Sequence, residues 1–100
     1  MIKDFEKNIK IFKAIGEINR AKIIRILSTG EKCAGRLLEE FNFTQPTLSH
    51  HMKVLIDCNL VKYRKDKTVT YYSLNEETCC NVKRFFNYIL TNNNINKNNF

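Results

Sequence analysis

One hundred residues with 43% hydrophobic content, seven Phe and four Tyr among them, suffice for one small folded domain and argue against a disordered chain. Seventeen Lys and Arg against ten Asp and Glu leave a formal net charge of +7, which favours a polyanionic partner, and no run reaches the ~18 apolar residues of a membrane span. The N-terminus lacks the apolar region and cleavage site of a signal peptide, so the four cysteines are expected as thiols in a reducing, cytoplasmic setting.

Phe5, Ile9, Phe12 and Ile15 fall on one helical stripe and predict a first helix over about 4–15, interrupted by Gly16. Ile18, Ala21, Ile23, Ile24 and Leu27 mark a second helix that ends near Ser28-Thr29-Gly30. A third is expected from Cys33 to Phe41, with Leu37, Leu38 and Phe41 turned inward. Residues 42–46 break the pattern. Thr44 then suits the N-cap of a fourth helix, and Pro46 is tolerated in its first turn, where a missing N–H has no intrahelical partner to lose. That helix runs to about Cys58 and buries Leu48, Met52 and Leu55, which recur at spacings of four and three. Two helices joined by so tight a turn form a helix-turn-helix.

The period then changes from about 3.6 to two. Leu60–Arg64 and Val69–Leu74 are largely β-branched or aromatic and predict two strands, joined by the polar turn Lys65-Asp66-Lys67-Thr68 as a wing. Asn75 suits the cap of a fifth helix, with Glu76 and Glu77 in a first turn that favours negative charge. Val82, Phe85, Phe86, Ile89 and Leu90 carry it to about residue 91. The last nine residues, 92–100, contain six Asn and read as a disordered tail behind a single domain, 1–91. The expected fold class is mainly α with a β-hairpin wing: a winged helix-turn-helix of four helices, two strands and a closing helix.

With its other face buried, the fourth helix must make any outward contact through Gln45, Thr47, Ser49, His50 and Lys53, with Thr44 just before it. Gln pairs with adenine edges, Ser and Thr reach bases or phosphates, and no carboxylate stands from Thr44 to His50 to repel DNA. The positive helix end also favours a phosphate. Arg64, Lys65 and Lys67 on the wing suit phosphate or minor-groove contact. By itself the wing's charge could equally be a solvated hairpin. Beside a helix-turn-helix it is read as part of a DNA-binding surface.

His51 flanks the buried stripe and is read as a structural histidine, packed and hydrogen-bonded against the third helix. A metal role for His50-His51 is disfavoured, because adjacent helical side chains point about 100° apart. Phe5, Phe12, Phe85, Phe86, Ile89 and Leu90 exceed what so small a core can cover. Pairing the first and fifth helices across a two-fold axis would bury them and set two recognition helices roughly 34 Å apart, one turn of a palindromic duplex.

Over about residues 9–90 the chain resembles the ArsR/SmtB family of metal- and metalloid-responsive repressors. The resemblance lies in Ala14-Ile15-Gly16-Glu17-Ile18-Asn19-Arg20, in Glu31-Lys32-Cys33, and above all in the run Thr44-Gln45-Pro46-Thr47-Leu48-Ser49-His50-His51-Met52-Lys53-Val54-Leu55. Leu60-Val61 and the wing end Val69–Leu74 complete it. It implies a cytoplasmic homodimer that represses transcription from an inverted-repeat operator and lets go when an inducer binds, by coupling between separate sites. Members that sense arsenite through the third helix usually carry Cys-Val-Cys there. Here Cys33 matches the first ligand and Gly35 replaces the second. No histidine follows His51, so the family's zinc site on the last helix is absent.

Trivalent arsenic and soft divalent metals favour thiolates. Cys79 and Cys80 form the best local pair, in a first helical turn that can lower a thiol pKa. A third thiolate would come from Cys33 or Cys58, of the same chain or of a partner. The expected inducer is therefore arsenite or a soft divalent metal, with no cofactor required. The alternatives are a redox-sensing or effector-independent regulator, and a winged-helix protein-interaction module that does not bind DNA. An enzyme is not expected: the chain has no Gly-rich phosphate loop and no clustered carboxylate–histidine set.

Overall fold

A computed structural model describes residues 2–91; the Asn-rich segment 92–100, expected as a tail, lies outside the described residues. The elements in chain order are α1 (Ile2–Ile15), α2 (Ile18–Leu27), β1 (Lys32–Cys33), α3 (Ala34–Leu38), α4 (Gln45–Asp57), β2 (Val61–Asp66), β3 (Val69–Leu74) and α5 (Glu76–Leu90). This is the expected winged helix-turn-helix, with one strand more than the sequence predicts.

That extra strand is β1. Its two residues pair antiparallel with β3, Lys32 opposite Tyr72 and Cys33 opposite Tyr71, giving a three-stranded sheet of order β1-β3-β2. Two residues are too few to show a period, so nothing local announces the strand. Its formation shortens the third helix, which begins at Ala34 rather than Cys33. The helix also ends at Leu38, where Glu40 N–H donates to the Leu37 carbonyl and Phe41 N–H to the Leu38 carbonyl in a tightened last turn. Phe41 still turns toward the core and stacks on Phe43, ring centroids 4.6 Å apart. β3 has the expected bounds, but β2 runs two residues further than expected. Lys65 pairs with Thr70 and Asp66 with Val69, so Lys65 is a strand residue and only Lys67-Thr68 turn the corner.

The core is Ile11 and Ala14 of α1, Ile23 and Leu27 of α2, Leu37 of α3, Leu48, Met52 and Leu55 of α4, and Leu60 and Val61 behind it. α4 supplies three of these ten side chains and packs against α1, α2 and β2. Its exit is closed by hydrogen bonds from Leu60 N–H to the Leu55 carbonyl and from Asn59 N–H to the Ile56 carbonyl, at 3.1 and 2.9 Å. Asn59 holds φ 65°, a left-handed conformation that Asn tolerates better than most residues, and the chain leaves directly into β2. Recognition helix and wing are therefore one continuous unit.

α5 is anchored differently. Asn75 Oδ1 accepts from Thr78 N–H at 3.4 Å, capping the helix as expected, with Glu76 and Glu77 in the first turn. None of its fifteen residues is buried within the chain. Phe85 meets Phe5 edge-on at 5.1 Å, and Phe12 lies 5.6 Å from Phe86, so α1 and α5 are held together by an aromatic cluster at the edge of the core.

Leu55 is fully enclosed where α4 meets the strands. Leu55→Ala is expected to destabilise the fold by ~2–5 kcal/mol, the range for a buried Leu that leaves a cavity. Urea unfolding followed by circular dichroism measures this, and a loss below ~1 kcal/mol contradicts the packing described.

Candidate nucleic-acid interface

α4 carries two faces because its sequence alternates them. Leu48, His51, Met52 and Leu55 are buried, while Gln45, Ser49, His50 and Lys53 are exposed and Thr47 is half-buried. Thr44 takes the N-cap position with extended backbone, but its hydroxyl caps nothing: Oγ1 lies 3.4 Å from Thr47 Oγ1. Pro46 stands in the first turn. The structure thus brings Thr44, Gln45, Thr47, Ser49 and His50 together at one helix end. Lys53 sits a turn further on and reaches Asp57 at 3.2 Å, an exposed contact that yields readily to a phosphate.

Among the wing residues, Lys65 and Lys67 are exposed and make no ion pair within the described residues. Lys67 holds φ 58° at the tip. Arg64 is placed differently from a free wing cation. Its Nε and Nη2 each donate to Glu31 at 2.9 Å, and the guanidinium lies 4.3 Å over the Tyr71 ring. This side-chain pairing holds the Glu31 carboxyl below its ordinary value and raises the Arg64 guanidinium. Glu31 immediately precedes β1, so the pair ties the wing to the start of that strand.

His51 is buried, as a structural histidine should be, but its partners are not those expected. Its Nδ1 lies 3.3 Å from Arg20 Nη1, and its ring packs 5.4 Å from Phe43 in the α3–α4 turn. α3 ends at Leu38, and the N-terminal turn of α2 fills the place beside α4 instead. Glu17 and Arg20, which the sequence does not connect with His51, are the residues that meet it. Their local signal is an N-cap spacing, since Glu17 Oε1 accepts from Arg20 N–H at 3.0 Å. The link to His51 spans 31 residues and has no local signature.

No three of the four thiols gather within the chain. Cys33 begins α3 from the N-cap position, and Cys58 caps the C-terminus of α4 with Sγ donating to the Leu55 carbonyl at 3.4 Å. Cys79 is partly buried against the core and Cys80 is exposed. The expectation of a thiol lowered by the helix end is not met at Cys79. Burial pushes this thiol up, with Lys83 only partly opposing it. Burial likewise raises the Cys58 thiol. Among the described residues no group of three or more His, Cys, Asp or Glu side chains is placed to hold a metal ion within one chain.

The residues expected at an interface between copies divide into two sets. Phe12 and Phe85 are half-buried and partner each other within the chain. Phe5, Phe86, Ile89 and Leu90 stay open, at 47, 50, 41 and 69% exposure, and Tyr88 joins them. The result is a contiguous apolar surface along α1 and α5.

Residues 19–63 match the family described as bacterial regulatory protein, arsR family. An arsenical resistance operon repressor of Staphylococcus aureus is 46% identical over 83 residues, which cover 83% of this chain and 80% of that protein. One of Staphylococcus xylosus is 51% identical over 67 residues, covering 67% of this chain and 64% of its counterpart. Among solved structures, the homodimeric winged helix-turn-helix DNA-binding domain of a possible ArsR-family regulator from Mycobacterium bovis superposes with a TM-score of 0.70. It shares 23% identity, covers 86% of this chain and 77% of its own, and speaks for the fold.

Exposure and burial set an order of thiol reactivity, because the thiolate is the nucleophile. Brief iodoacetamide labelling near pH 7.5 is expected to modify Cys80 first and Cys58 and Cys79 more slowly. Peptide mass spectrometry reads the order, and Cys58 labelling ahead of Cys80 contradicts it.

Proposed function

The chain belongs to the arsR family of bacterial regulatory proteins, and on that premise we propose that it is a homodimeric, sequence-specific transcriptional repressor of the cytoplasm. One observation carries the reading. The first turns of α4 present a polar face without a carboxylate, while the opposite face is locked into the core. A helix so held can enter a major groove without reorganising. Gln45, Thr47, Ser49 and His50 then reach base edges and Thr44 and Lys53 the flanking phosphates. Lys65 and Lys67 follow the backbone beside it. Arg64 joins them by exchanging Glu31 for a phosphate or by bracing the wing from behind.

The apolar surface of α1 and α5 supports pairing of two copies. Burying Phe5, Phe86, Ile89 and Leu90, and completing the cover of Phe12 and Phe85, removes from water side chains that a monomer leaves wet. A two-fold dimer presents two α4 helices to an inverted repeat.

The inducer is read as arsenite or a soft divalent metal bound by thiolates. The names of the two staphylococcal relatives support this, as does the presence of four free cysteines. Cys79 and Cys80 supply two adjacent donors, and Cys33 or Cys58 supplies a third. Since the four do not gather within one chain, the dimer or a shift of the α5 N-terminus must assemble the site. Domain 1–91 performs both tasks, with 92–100 as an appended tail.

For DNA reading, a duplex selected by the protein from a random library serves as probe. Gln45→Ala is expected to weaken binding to it by ~1–3 kcal/mol and relax preference at one base position. Lys65→Ala is expected to weaken all duplexes alike and reduce the salt slope by about one phosphate. Fluorescence anisotropy over a salt series separates these outcomes, and a chain that binds no duplex defeats the repressor reading.

For induction, arsenite, cadmium, zinc and peroxide are each added to the protein–duplex complex, for wild type and each Cys→Ser variant. Release by arsenite or cadmium that is lost in Cys79→Ser or Cys80→Ser is the expected result. Release by peroxide alone makes the protein a redox sensor, and no release by any agent ends the thiol hypothesis.

A further inference from the structure

One polar cluster lies beneath the DNA-reading face without belonging to it: Glu17, Arg20 and His51, where the α1–α2 junction meets α4. Arg20 holds three elements at once. Its Nε donates to the Ala14 carbonyl of α1 at 2.7 Å, its backbone N–H donates to Glu17 Oε1 at 3.0 Å, and its Nη1 stands 3.3 Å from His51 Nδ1 on α4. A guanidinium has donors and no acceptor and stays charged at any pH a protein meets. His51 Nδ1 must therefore accept, which makes the imidazole neutral with its proton on Nε2. Glu17 Oε1 lies 3.9 Å from the same Nδ1, outside hydrogen-bond range.

One ring nitrogen thus faces a cation it can accept from and a carboxylate it can donate to. The charge on His51 decides between them. Neutral, it pairs with Arg20; as imidazolium it is repelled by Arg20 and drawn to Glu17. The residue is only 7% exposed and its side chain stands between Leu48 and Leu55 on the buried face, so a change of partner alters the polar contact that anchors α4 to the α1–α2 junction. The other groups around it are His50 on the same helix, ring centroids 5.9 Å apart, and the uncharged Phe43. Burial pushes His51 below its ordinary value; Glu17 opposes this, and Arg20 and His50 add to it.

We propose that His51 is a positioning residue for DNA reading: accepting from Arg20, its neutral ring fixes the seat of α4, and its protonation transfers the ring to Glu17 and loosens the grip on DNA. The proposal rests on α4 being the recognition helix. The sign follows from the lowered native value. Above about pH 6.5 both folded and unfolded chains hold neutral His51. As pH falls through 6.5 the unfolded chain takes up the proton first, so stability declines down to the native value and then levels off. DNA affinity falls where the native ring itself protonates, at a pH below 6.5.

Two measurements on the full chain test this. Long-range 1H–15N NMR of the free protein at pH 7.5 is expected to show His51 neutral and protonated on Nε2; a proton on Nδ1 overturns the proposal. Anisotropy then compares the library-selected duplex with an unrelated one from pH 7.5 to 5.5, in wild type and in His51→Gln, so that the difference between the two profiles belongs to His51. Preference for the selected duplex is expected to fall, by up to about tenfold per pH unit for each His51 of the dimer below the imidazole pKa. His51→Gln, whose amide oxygen can still accept from Arg20, is expected to bind better than His51→Ala and to flatten the profile. A preference unchanged over the range, or a profile that persists in His51→Gln, overturns it. Should His51→Gln not fold, the wild-type ring decides, since linkage requires bound duplex to lower its pKa. An unmoved titration counts against the proposal. Failure to prefer any duplex at pH 7.5 defeats the repressor reading, whereas binding with the wrong tautomer or a flat profile defeats only the role of His51.

Discussion

Everything in this molecule depends on how α4 is seated. Four of its thirteen residues, Leu48, His51, Met52 and Leu55, are driven into a core that draws on α1, α2, α3 and β2. Interiors are packed closely enough that such a helix has one position. Because the buried stripe fixes the helix's rotation, the polar residues between must face outward together. The same burial closes α4 with Asn59 and delivers the chain to β2, so the wing inherits its place from the helix. A surface that has to match a rigid duplex is built here from hydrophobic packing behind it.

The seat has one polar corner. Arg20 joins the end of α1, the start of α2 and the buried ring of His51, and Glu17 both caps α2 and waits beyond hydrogen-bond distance of the same ring. A hydrophobic side chain at position 51 would fill the space without linking these elements. The hydrogen bond makes the pose of α4 conditional on the charge state of one buried group, which apolar packing cannot do. The wing has a comparable tie on its outer side, where Glu31 and Tyr71 hold Arg64. Being exposed, that pair is open to competition from a phosphate.

A chain this small cannot enclose all its apolar side chains. The core closes around α4, and α1 and α5 are left with one face each on the rim. Phe12 and Phe85 cover each other, while Phe86 and Leu90 remain half-exposed or more. The thiols follow the same division between centre and rim. Cys58 and Cys79 are drawn toward the core and raised by burial, Cys80 faces solvent, and Cys33 stands at the junction of β1 and α3. Under the proposed dimer the surface of α1 and α5 is the interface, and α5 begins with the paired thiols, so a ligand at Cys79 and Cys80 would act close to the contact that sets the spacing of the two α4 helices.

The sequence by itself determined the helices, the wing, the start of α4 after Thr44, the cap at Asn75 and the two faces of α4, because each is written in local spacing. A period of 3.6 or two, or a capping residue before a helix, needs no knowledge of the rest of the chain. It also marked Gln45, Thr47, Ser49 and His50 as the outward set, since what the buried stripe leaves over is fixed by helical geometry. Only the tertiary structure decided what crosses between distant segments. The two-residue β1 exists because β3 offers it partners, Arg64 is claimed by Glu31 33 residues away, and His51 turns to Arg20 rather than to the third helix. Burial, not the helix end, sets the state of Cys79. These are contacts between residues far apart in the chain, and no local pattern of residue types records them.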